Sequence, residues 1–439
     1  MNPATHHIEL AEWQSVFLPG VRLSNADRRV VESLSQVGSG RLVIEELRQG
    51  LQVRAYSWVG VVRLQDVEIR VWPKLAGGNA GLVEMLTLTS GLDALRRNRG
   101  QRYLETAASA HLLDLIALLF AQACQRLVDG GLLHDYVERE ATLPVLRGRL
   151  LVGQQVRQYY GRVDRLACRY DDHLTDIVEN QIVAAALLAC RFRVSDPAVS
   201  LQIHRLHTLF AAACSPAKLP DFNSVRRDLS YHRLNEHYRE AHELAWLLLA
   251  SMGIDDLLAV GQTRSFAFLL DMNQLFERFV ERFVTYALSR SAYQVQAQQR
   301  DRAIIWDLAT QRPYTHIVPD LLIQAARNGR RLALDAKYKL YDERRLSTAD
   351  IYQSFFYAYA YNDVGQEKPA ALLLYPASRT GQQPVLLRVR DRNRVGKASL
   401  YALPVSIPQA IEEINGDQFG PLSQLLFEAV TSHLADSEG

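Results

Sequence analysis

The segment His316–Lys339, with the sequence HIVPDLLIQAARNGRRLALDAKYK, decides the fold of the last third of this chain. The dipeptide Asn328-Gly329 separates two apolar runs, and both residues tolerate the positive φ angles of a two-residue type I′ turn. The pattern therefore predicts a β-hairpin. Counting outward from such a turn places Asp320 directly opposite Lys337.

Side-chain alternation along the second predicted strand adds another carboxylate to the same face. Successive side chains of a strand point to opposite faces, so Asp335 lies beside Lys337, whereas Leu334 and Ala336 point into a core. Cross-strand partners share a face as well, which adds Asp320. The local pattern thus brings two carboxylates and one ammonium group together.

This combination of side chains suits the hydrolysis of a phosphodiester. Two carboxylates can hold Mg²⁺, which stabilises charge on the phosphoryl oxygens and lowers the pKa of bound water. Lys337 can position that water or offset developing negative charge. The alternative is an exposed hairpin whose cross-strand ion pair contributes less than about 1 kcal/mol. The turn and the neighbouring helices favour a metal-dependent nuclease site.

A helix is predicted just after the hairpin. Ser347 as N-cap and Asp350 reaching back to it have the form of a capping box. Asp350, Gln353 and Tyr357 then fall on one stripe of the helix. Gln353 is expected to contact a metal ligand or a DNA phosphate, and Tyr357 is assigned to DNA binding. The alternative is an amphipathic helix with a polar edge.

A second helix is predicted before the hairpin, over Asp271–Val284, from the spacing of its apolar residues. Glu277 lies at the edge of the apolar stripe, where a carboxylate can point into a cleft. Glu281, one turn later, is expected to face solvent. Glu277 is therefore a further candidate for the site.

Several segments of the chain resemble the McrC family. The stronger ones are Leu269–Val280, Val318–Ile323, Leu334–Lys339, Asp350–Tyr357 and Ala371–Pro376. The more modest ones are Trp58–Arg63, Ile69–Lys74, Leu146–Arg149 and Asp176–Asn180. The resemblance implies a nuclease subunit of a McrBC-type, modification-dependent restriction system.

The resemblance also implies a PD-(D/E)xK nuclease domain. In such a domain Asp320, Asp335 and Lys337 occupy the motif positions, while Glu277 and Gln353 match ancillary positions. Mg²⁺ is then the expected cofactor, with Asp320, Asp335 and Glu277 as the expected metal ligands. The reaction implied is endonucleolytic cleavage of DNA carrying a base modified in the manner of 5-methylcytosine.

A partner protein is implied as well. The only approach to a phosphate-binding loop, Gly396–Ser399, lacks the upstream glycine and has Ala where the motif needs Ser or Thr. Nucleotide hydrolysis is therefore expected from another chain. In the McrC family that chain is McrB, a ring-forming AAA+ GTPase that also reads the modified base and whose turnover McrC stimulates.

Two other functions remain open at this stage. One is a self-sufficient nuclease of the RecB type, which purified protein would reveal by cleaving DNA without any nucleotide. The other is a non-catalytic activator that docks on an NTPase ring and carries a vestigial site. The intact Asp320, Asp335 and Lys337 favour catalysis over the activator.

Composition limits how the chain can bind DNA. Its net charge is only +2, so no global electrostatic attraction draws it to a polyanion. Affinity must come from local groups or from a complex. The local candidates are Lys339, Arg344 and Arg345, together with Tyr357.

At 439 residues the chain is expected to form two or three domains of an α/β multidomain protein. Residues 1–81 are predicted to form a small β-rich domain, and residues 82–255 a mainly helical region with a basic, β-prone insertion at Thr142–Tyr170. Residues 256–439 are assigned to the nuclease domain. The insertion is expected to dock the partner or contact DNA or, equally, to be an exposed hairpin rich in arginine. Its candidate docking residues are Arg147, Arg149 and Arg157.

The remaining features indicate a cytoplasmic protein without a membrane partner. No uncharged apolar stretch reaches the length of a bilayer span, and the start of the chain lacks the pattern of a signal peptide. The histidines of the middle region lack zinc-site spacing. The four cysteines are predicted to be buried thiols, namely Cys124, Cys168, Cys190 and Cys214.

Overall fold

The structure is a computed structural model. It describes residues 6–36, 42–75, 78–89, 112–215, 222–252, 265–339, 341, 344–361, 369–377, 379 and 381–434. No helix in these ranges combines the length and the apolar character that crossing a bilayer demands.

The described strands are β1 (His6–Ala11), β2 (Ser15–Pro19), β3 (Leu42–Leu47), β4 (Gly50–Ala55), β5 (Trp58–Arg63), β6 (Val67–Trp72), β7 (Asp135–Leu143), β8 (Arg149–Leu150), β9 (Leu166–Leu174), β10 (Phe266–Asp271), β11 (Tyr293–Ala297), β12 (Asp301–Asp307), β13 (Arg312–Ile317), β14 (Leu321–Ala325), β15 (Arg331–Ala336), β16 (Ala370–Pro376), β17 (Val385–Arg390) and β18 (Gly396–Val405).

The described helices are α1 (Asn25–Gln36), α2 (Gly78–Thr89), α3 (Leu112–Gly130), α4 (Val152–Gln158), α5 (Val178–Cys190), α6 (Pro197–Ala213), α7 (Phe222–Asp228), α8 (Arg239–Met252), α9 (Met272–Leu288), α10 (Thr348–Ala360), α11 (Ile407–Gly416) and α12 (Pro421–Leu434). A short 3₁₀ helix, Glu236–Tyr238, precedes α8.

The chain forms two compact units. One unit combines Met1–Ser109 with Leu269–Gly439, and the other is Ala110–Phe268. This division differs from the three sequence-based regions, because the beginning of the chain shares a unit with the predicted nuclease domain. The reason is a long-range strand pairing: β10, just before α9, joins β1, β6 and β5 in one sheet. Composition along the chain carries no signal for such a pairing.

The predicted β-rich character of the first residues is confirmed. The sheet containing β10 has the order β1-β6-β5-β10, and a second sheet has the order β2-β4-β3. The capping box at Ser24 and Asp27 forms in both directions: the Asp27 amide donates to Ser24 Oγ over 3.2 Å, and the Ser24 amide donates to Asp27 Oδ2 over 2.9 Å. Strands β1 and β2 were not predicted from the sequence.

A six-stranded mixed sheet forms the core of the C-terminal part, in the order β11-β14-β15-β16-β18-β17. Strands β15, β16 and β18 are parallel neighbours. Helix α10 connects β15 to β16, as a parallel pair requires, and packs on β15, β16 and β18. Helices α9 and α12 pack against β15 and against each other.

The second unit is mainly helical, as predicted. Helix α5 packs against α6 and α8, and α3 packs against α6 and α8. The β-prone insertion becomes a three-stranded sheet of order β7-β9-β8, with α4 between β8 and β9. The four cysteines are buried free thiols, which confirms that prediction.

Candidate active site

The predicted hairpin forms, but its register differs from the prediction. Leu321 of β14 pairs with Leu334 of β15, whereas the predicted type I′ turn required Ala336 in that place. Continuing the observed register by one residue brings Asp320 opposite Asp335 instead of Lys337. The predicted pairing is therefore wrong by two residues. Because side chains alternate with period two, an even shift leaves every side chain on its predicted face.

The connection between the two strands explains the shift. Its closing pair is Ala325 and Arg330, since the Ala325 amide donates to the Arg330 carbonyl over 2.9 Å, so four residues lie between the members of this pair. Gly329 has φ of +72°, whereas Asn328 does not enter the positive-φ region that a type I′ turn needs at both positions. Asn328 Nδ2 instead donates to the carbonyl of Leu434, at the end of α12, over 3.0 Å. A tertiary contact thus competes with the local turn.

Asp320, Asp335 and Lys337 meet on the face of the sheet that α10 covers. This face also carries Ala333, which packs against Tyr357 of α10. The Ala336 amide donates to Asp320 Oδ2 over 2.7 Å, and Lys337 Nζ lies 2.8 Å from Asp335 Oδ2. The predicted cluster of two carboxylates and one ammonium group is therefore present.

Burial disfavours the simultaneous ionisation of the Asp320 and Asp335 carboxyl groups. Asp335 is 1% exposed, and its burial and the nearby Asp320 carboxylate raise its pKa to about 7. Burial also raises the pKa of Asp320, although the amide of Ala336 opposes the shift. Burial disfavours the charge of Lys337, but the Asp335 and Asp320 carboxylates outweigh this and raise its pKa. The ammonium group is thus charged, whereas the carboxylates need a further cation or a proton.

The two buried carboxylates disfavour each other's charge, and a divalent cation would offset that charge. Asp335 Oδ2 is buried with Lys337 Nζ 2.8 Å away, and the Asp320 side chain lies beside it, so the two residues offer a pair of buried acidic groups. A hard cation such as Mg²⁺ prefers carboxylate oxygens. No three His, Cys, Asp or Glu side chains converge as a ready ligand set in the described ranges. The protein thus offers two carboxylates and leaves other coordination positions to water or substrate.

Helix α9 brings Glu277 into the electrostatic range of the cluster. The helix forms as predicted, with Asp271 as N-cap accepting from the Asn273 amide over 2.9 Å. Burial raises the pKa of Glu277, Lys337 opposes the shift, and Asp335 adds to it. Glu277 is half-buried and faces the same charges as the motif residues. Its role as a third metal ligand stays a prediction.

Helix α10 begins where the sequence places it, but Asp350 does not close the capping box. Ser347 Oγ accepts from the Asp350 amide over 3.2 Å, as predicted. The Asp350 carboxylate instead binds Lys339 Nζ at 2.6 Å and accepts a hydrogen bond from the hydroxyl of Tyr341. A nearby cation outcompetes a backbone amide for this buried carboxylate. Asp350 thereby ties the end of the hairpin to the helix.

Gln353 and Tyr357 form a hydrogen-bonded chain that leads back to the motif. Gln353 Nε2 donates to Tyr357 Oη over 3.0 Å, and Tyr357 Oη donates to the carbonyl of Val318 over 3.2 Å. Tyr357 is only 6% exposed, which differs from the DNA-binding role predicted for it. Its hydroxyl supports the backbone two residues before Asp320. Gln353 is half-buried, and its contact with a metal ligand or a DNA phosphate stays a prediction.

The predicted basic contacts are exposed. Arg344 and Arg345 lie on the surface just before α10, and the Lys339 side chain is 46% exposed despite its ion pair. Arg147, Arg149 and Arg157 are exposed in the other unit. The guanidinium of Arg147 stacks on the ring of Tyr170, 4.2 Å from its centroid. None of these residues belongs to the carboxylate cluster.

The sequence analysis missed the residues that support the cluster from behind. Tyr338, the residue after Lys337, is 2% exposed and donates its hydroxyl hydrogen bond to Glu12 Oε2 over 2.9 Å. Glu12 lies more than three hundred positions earlier in the chain, so no local pattern connects the two.

Comparisons with known proteins place this arrangement in a family. The family described as McrBC 5-methylcytosine restriction system component matches residues 53–376, most of the chain and all of the cluster. No curated protein matches the chain. Among solved structures, a chain of the refined half-complex from the tetradecameric assembly of Thermococcus gammatolerans McrB AAA+ hexamers with bound McrC matches with a TM-score of 0.61 and 18% identity.

That match covers 97% of this chain and 99% of the other, so the two share a fold along their whole length. A chain of the Thermococcus gammatolerans McrBC complex matches with a TM-score of 0.45 and 19% identity, over 65% of this chain and 89% of that one. The resemblance noted in the sequence is confirmed by the family match. The chain belongs to the McrBC 5-methylcytosine restriction system component family.

Proposed function

We propose that this chain is the Mg²⁺-dependent DNA endonuclease subunit of a modification-dependent restriction complex, with a site of the PD-(D/E)xK type. The observation that carries the proposal is the convergence of Asp320, Asp335 and Lys337 on one face, with Lys337 Nζ 2.8 Å from Asp335 Oδ2. Family membership and the burial of the Asp335 carboxylate beside that of Asp320 support it.

The charges of the residues give them different roles in the proposed reaction. Asp320 and Asp335 would hold Mg²⁺, and Glu277 is positioned to orient a water or to add a ligand. When bound, Mg²⁺ supplies Lewis-acid stabilisation of phosphoryl charge and lowers the pKa of a water. Lys337 stays protonated through neutral pH because the carboxylates raise its pKa. Its ammonium group can therefore donate to the attacking water or to a non-bridging phosphate oxygen.

DNA would approach along the exposed basic edge. Arg344 and Arg345 have no partner among the described residues and can contact phosphates directly. Lys339 is partly neutralised by Asp350, so its contribution is smaller. With a net charge of only +2, the chain relies on these few groups and on a complex for affinity.

We further propose that the partner is an AAA+ GTPase ring of the McrB type, which the chain stimulates. The similar fold in an assembly of McrB AAA+ hexamers with bound McrC supports this partner. The insertion of the second unit is the proposed docking element. Beside Arg149 and Arg157 it exposes apolar side chains that a partner surface could cover, among them Val145, Tyr160 and Val163.

The decisive experiment compares single substitutions in the presence of the partner, GTP and Mg²⁺. Asp320→Ala, Asp335→Ala and Lys337→Ala are each expected to reduce cleavage of modified duplex DNA by at least about a thousandfold, the cost of losing a charge that stabilises the transition state. Asp129→Ala and Lys397→Ala remove an exposed carboxylate and an exposed ammonium group elsewhere and serve as matched controls.

Three outcomes would each contradict a part of the proposal. Equal cleavage by wild type and all three variants would remove the site assignment. Vigorous cleavage by the purified chain without partner or nucleotide would instead point to a self-sufficient nuclease. Retention of Mg²⁺ binding by Asp335→Ala, measured by calorimetry without DNA, would remove this carboxylate from the ligand set.

A further inference from the structure

A buried hydrogen bond joins the two ends of the first unit directly behind the candidate active site. Glu12 follows β1 and is 1% exposed, and Tyr338 follows Lys337 and is 2% exposed. Tyr338 Oη donates to Glu12 Oε2 over 2.9 Å, and the Lys74 amide donates to the same oxygen over 2.7 Å. Burial removes the water around this carboxylate. The hydrogen bonds from Tyr338 and Lys74 are needed to offset the lost hydration.

The backbone around Glu12 is arranged for this contact. Trp13 has φ of +62°, an unfavourable region for a bulky side chain. Its ring lies 5.6 Å from the ring of Tyr338, centroid to centroid. Residues in such conformations persist where the surroundings over-determine them, often beside functional sites. The turn after β1 therefore presents both Glu12 and Trp13 to one tyrosine.

Tyr338 in turn touches the elements that carry the reacting groups. Strand β15 ends at Ala336, and the Lys337 amide makes one more sheet hydrogen bond, to the Leu374 carbonyl over 2.9 Å. Beyond it, Tyr338 anchors the chain by its side chain. The Tyr338 ring lies 5.6 Å from that of Phe276, the residue before Glu277. One aromatic anchor thus sits next to Lys337 in sequence and against α9 in space.

We propose that Glu12 is a positioning residue of the candidate active site, which fixes Lys337 and Glu277 relative to Asp335 by holding Tyr338. The inference rests on the proposed nuclease function and adds to it a requirement for the beginning of the chain. The β-rich N-terminal part is then a component of the catalytic unit, in addition to any part it has in binding a partner. Displacement of a reacting group by about 1 Å can lower a rate about a hundredfold, so one lost anchor is enough to matter.

The test uses the full chain with its AAA+ partner, GTP and Mg²⁺. Glu12→Ala and Tyr338→Phe are each expected to lower kcat for DNA cleavage between about tenfold and a hundredfold and to leave KM for DNA within about twofold. Glu12→Gln keeps an oxygen that can accept from Tyr338 and is expected to retain most of the activity. The double variant Glu12→Ala/Tyr338→Phe should lose no more than the worse single variant, because both remove one contact.

Matched controls separate positioning from general stability. Glu413 is also a buried carboxylate of the same unit and accepts from the amides of Leu422 and Ser423 over 3.0 and 2.9 Å. Tyr238 also donates a buried hydroxyl hydrogen bond, to Asn180 over 2.7 Å. Glu413→Ala and Tyr238→Phe are expected to lower the melting temperature and leave kcat unchanged.

A second measurement does not depend on cleavage. Amide hydrogen exchange of the peptide containing Lys337 should accelerate at least about tenfold in Glu12→Ala and stay unchanged in Glu413→Ala. If wild type fails to cleave DNA, the proposed function is wrong and the exchange result alone decides the positioning. Unchanged kcat and unchanged exchange in both Glu12→Ala and Tyr338→Phe would overturn the inference while the nuclease function stands.

Discussion

The hairpin β14–β15 and the basic insertion of the second unit present opposite surroundings for charged side chains. In the hairpin, Asp335 is 1% exposed and lies between fully buried strands. In the insertion, Arg157 lies on α4, a helix without a buried residue, and Tyr160 is 83% exposed. A site that shifts pKa values must exclude water, whereas a surface that recognises a partner must remain accessible. The comparison separates charged residues that would take part in the reaction from charged residues that would contact a partner.

The largest expected effect tests the buried side of this comparison. Leu334→Asp places an unpaired charge where the side chain is 0% exposed and should destabilise the first unit by more than about 4 kcal/mol. Leu146→Asp, at a side chain that is 59% exposed, should change stability by less than about 0.5 kcal/mol. Thermal unfolding followed by circular dichroism measures both. Similar losses would show that the insertion is as tightly packed as the hairpin.

The next effect tests the exposed side. Arg157→Glu should lower the stimulation of the partner's GTP turnover severalfold, because it reverses an exposed charge at the proposed docking element. Arg205→Glu, an exposed helical arginine of the same unit, is the control. Asp335→Ala should stimulate fully. Loss of stimulation in Asp335→Ala with normal stimulation by Arg157→Glu would reverse the proposed division of labour.

Two glycines with positive φ sharpen the comparison at the backbone. A Cβ at Gly148, in the insertion, would lie 2.3 Å from the Arg169 carbonyl oxygen, whereas a Cβ at Gly329 would meet nothing within 4 Å. Gly329→Ala should therefore cost only the left-handed conformation, about 1 kcal/mol, and Gly148→Ala distinctly more. Hydrogen exchange of residues 142–170 and 316–339 measures the two losses separately. A larger loss at Gly329 would contradict the geometry of the two turns.

A further expected effect concerns the titration of Glu12. Burial raises its pKa to about 7, so the folded protein binds a proton that the unfolded chain releases near its ordinary pKa of about 4.3. The contribution of Glu12 to stability should therefore fall as the pH rises from about 4.5 to 7 and then level off. Glu12→Gln lacks this titration, so its stability relative to wild type should increase over the same interval. Melting temperatures of both proteins from pH 4.5 to 8 provide the test, and a constant difference would contradict a raised pKa.

The candidate site was largely predictable because its signals are local. The N-cap at Ser347, the helix carrying Glu277 and the shared face of Asp335 and Lys337 all depend on neighbours within one turn or one strand. Predictions that depended on competition among partners were wrong in detail. Asp350 binds Lys339 instead of closing its capping box, and Tyr357 is buried against Val318.

Long-range pairing was beyond the sequence. The pairing of β10 with the N-terminal sheet makes the beginning of the chain part of the unit that holds the candidate site. Composition and periodicity describe each segment by itself. The sequence-based regions therefore separate the beginning of the chain from the C-terminal part, whereas the two share one compact unit. The contact of Glu12 with Tyr338 depends on the same pairing.

By itself, the sequence determined which side chains share a face. Period-two alternation places Asp320, Asp335 and Lys337 on one face for any register that differs by an even number of residues. The three therefore share a face although the predicted register was wrong by two residues. Only the tertiary structure decided that register, because the contact between Asn328 and Leu434 favours a longer turn over the local type I′ geometry. Alternation is a property of each backbone, whereas register and anchoring depend on atoms that only folding brings into contact.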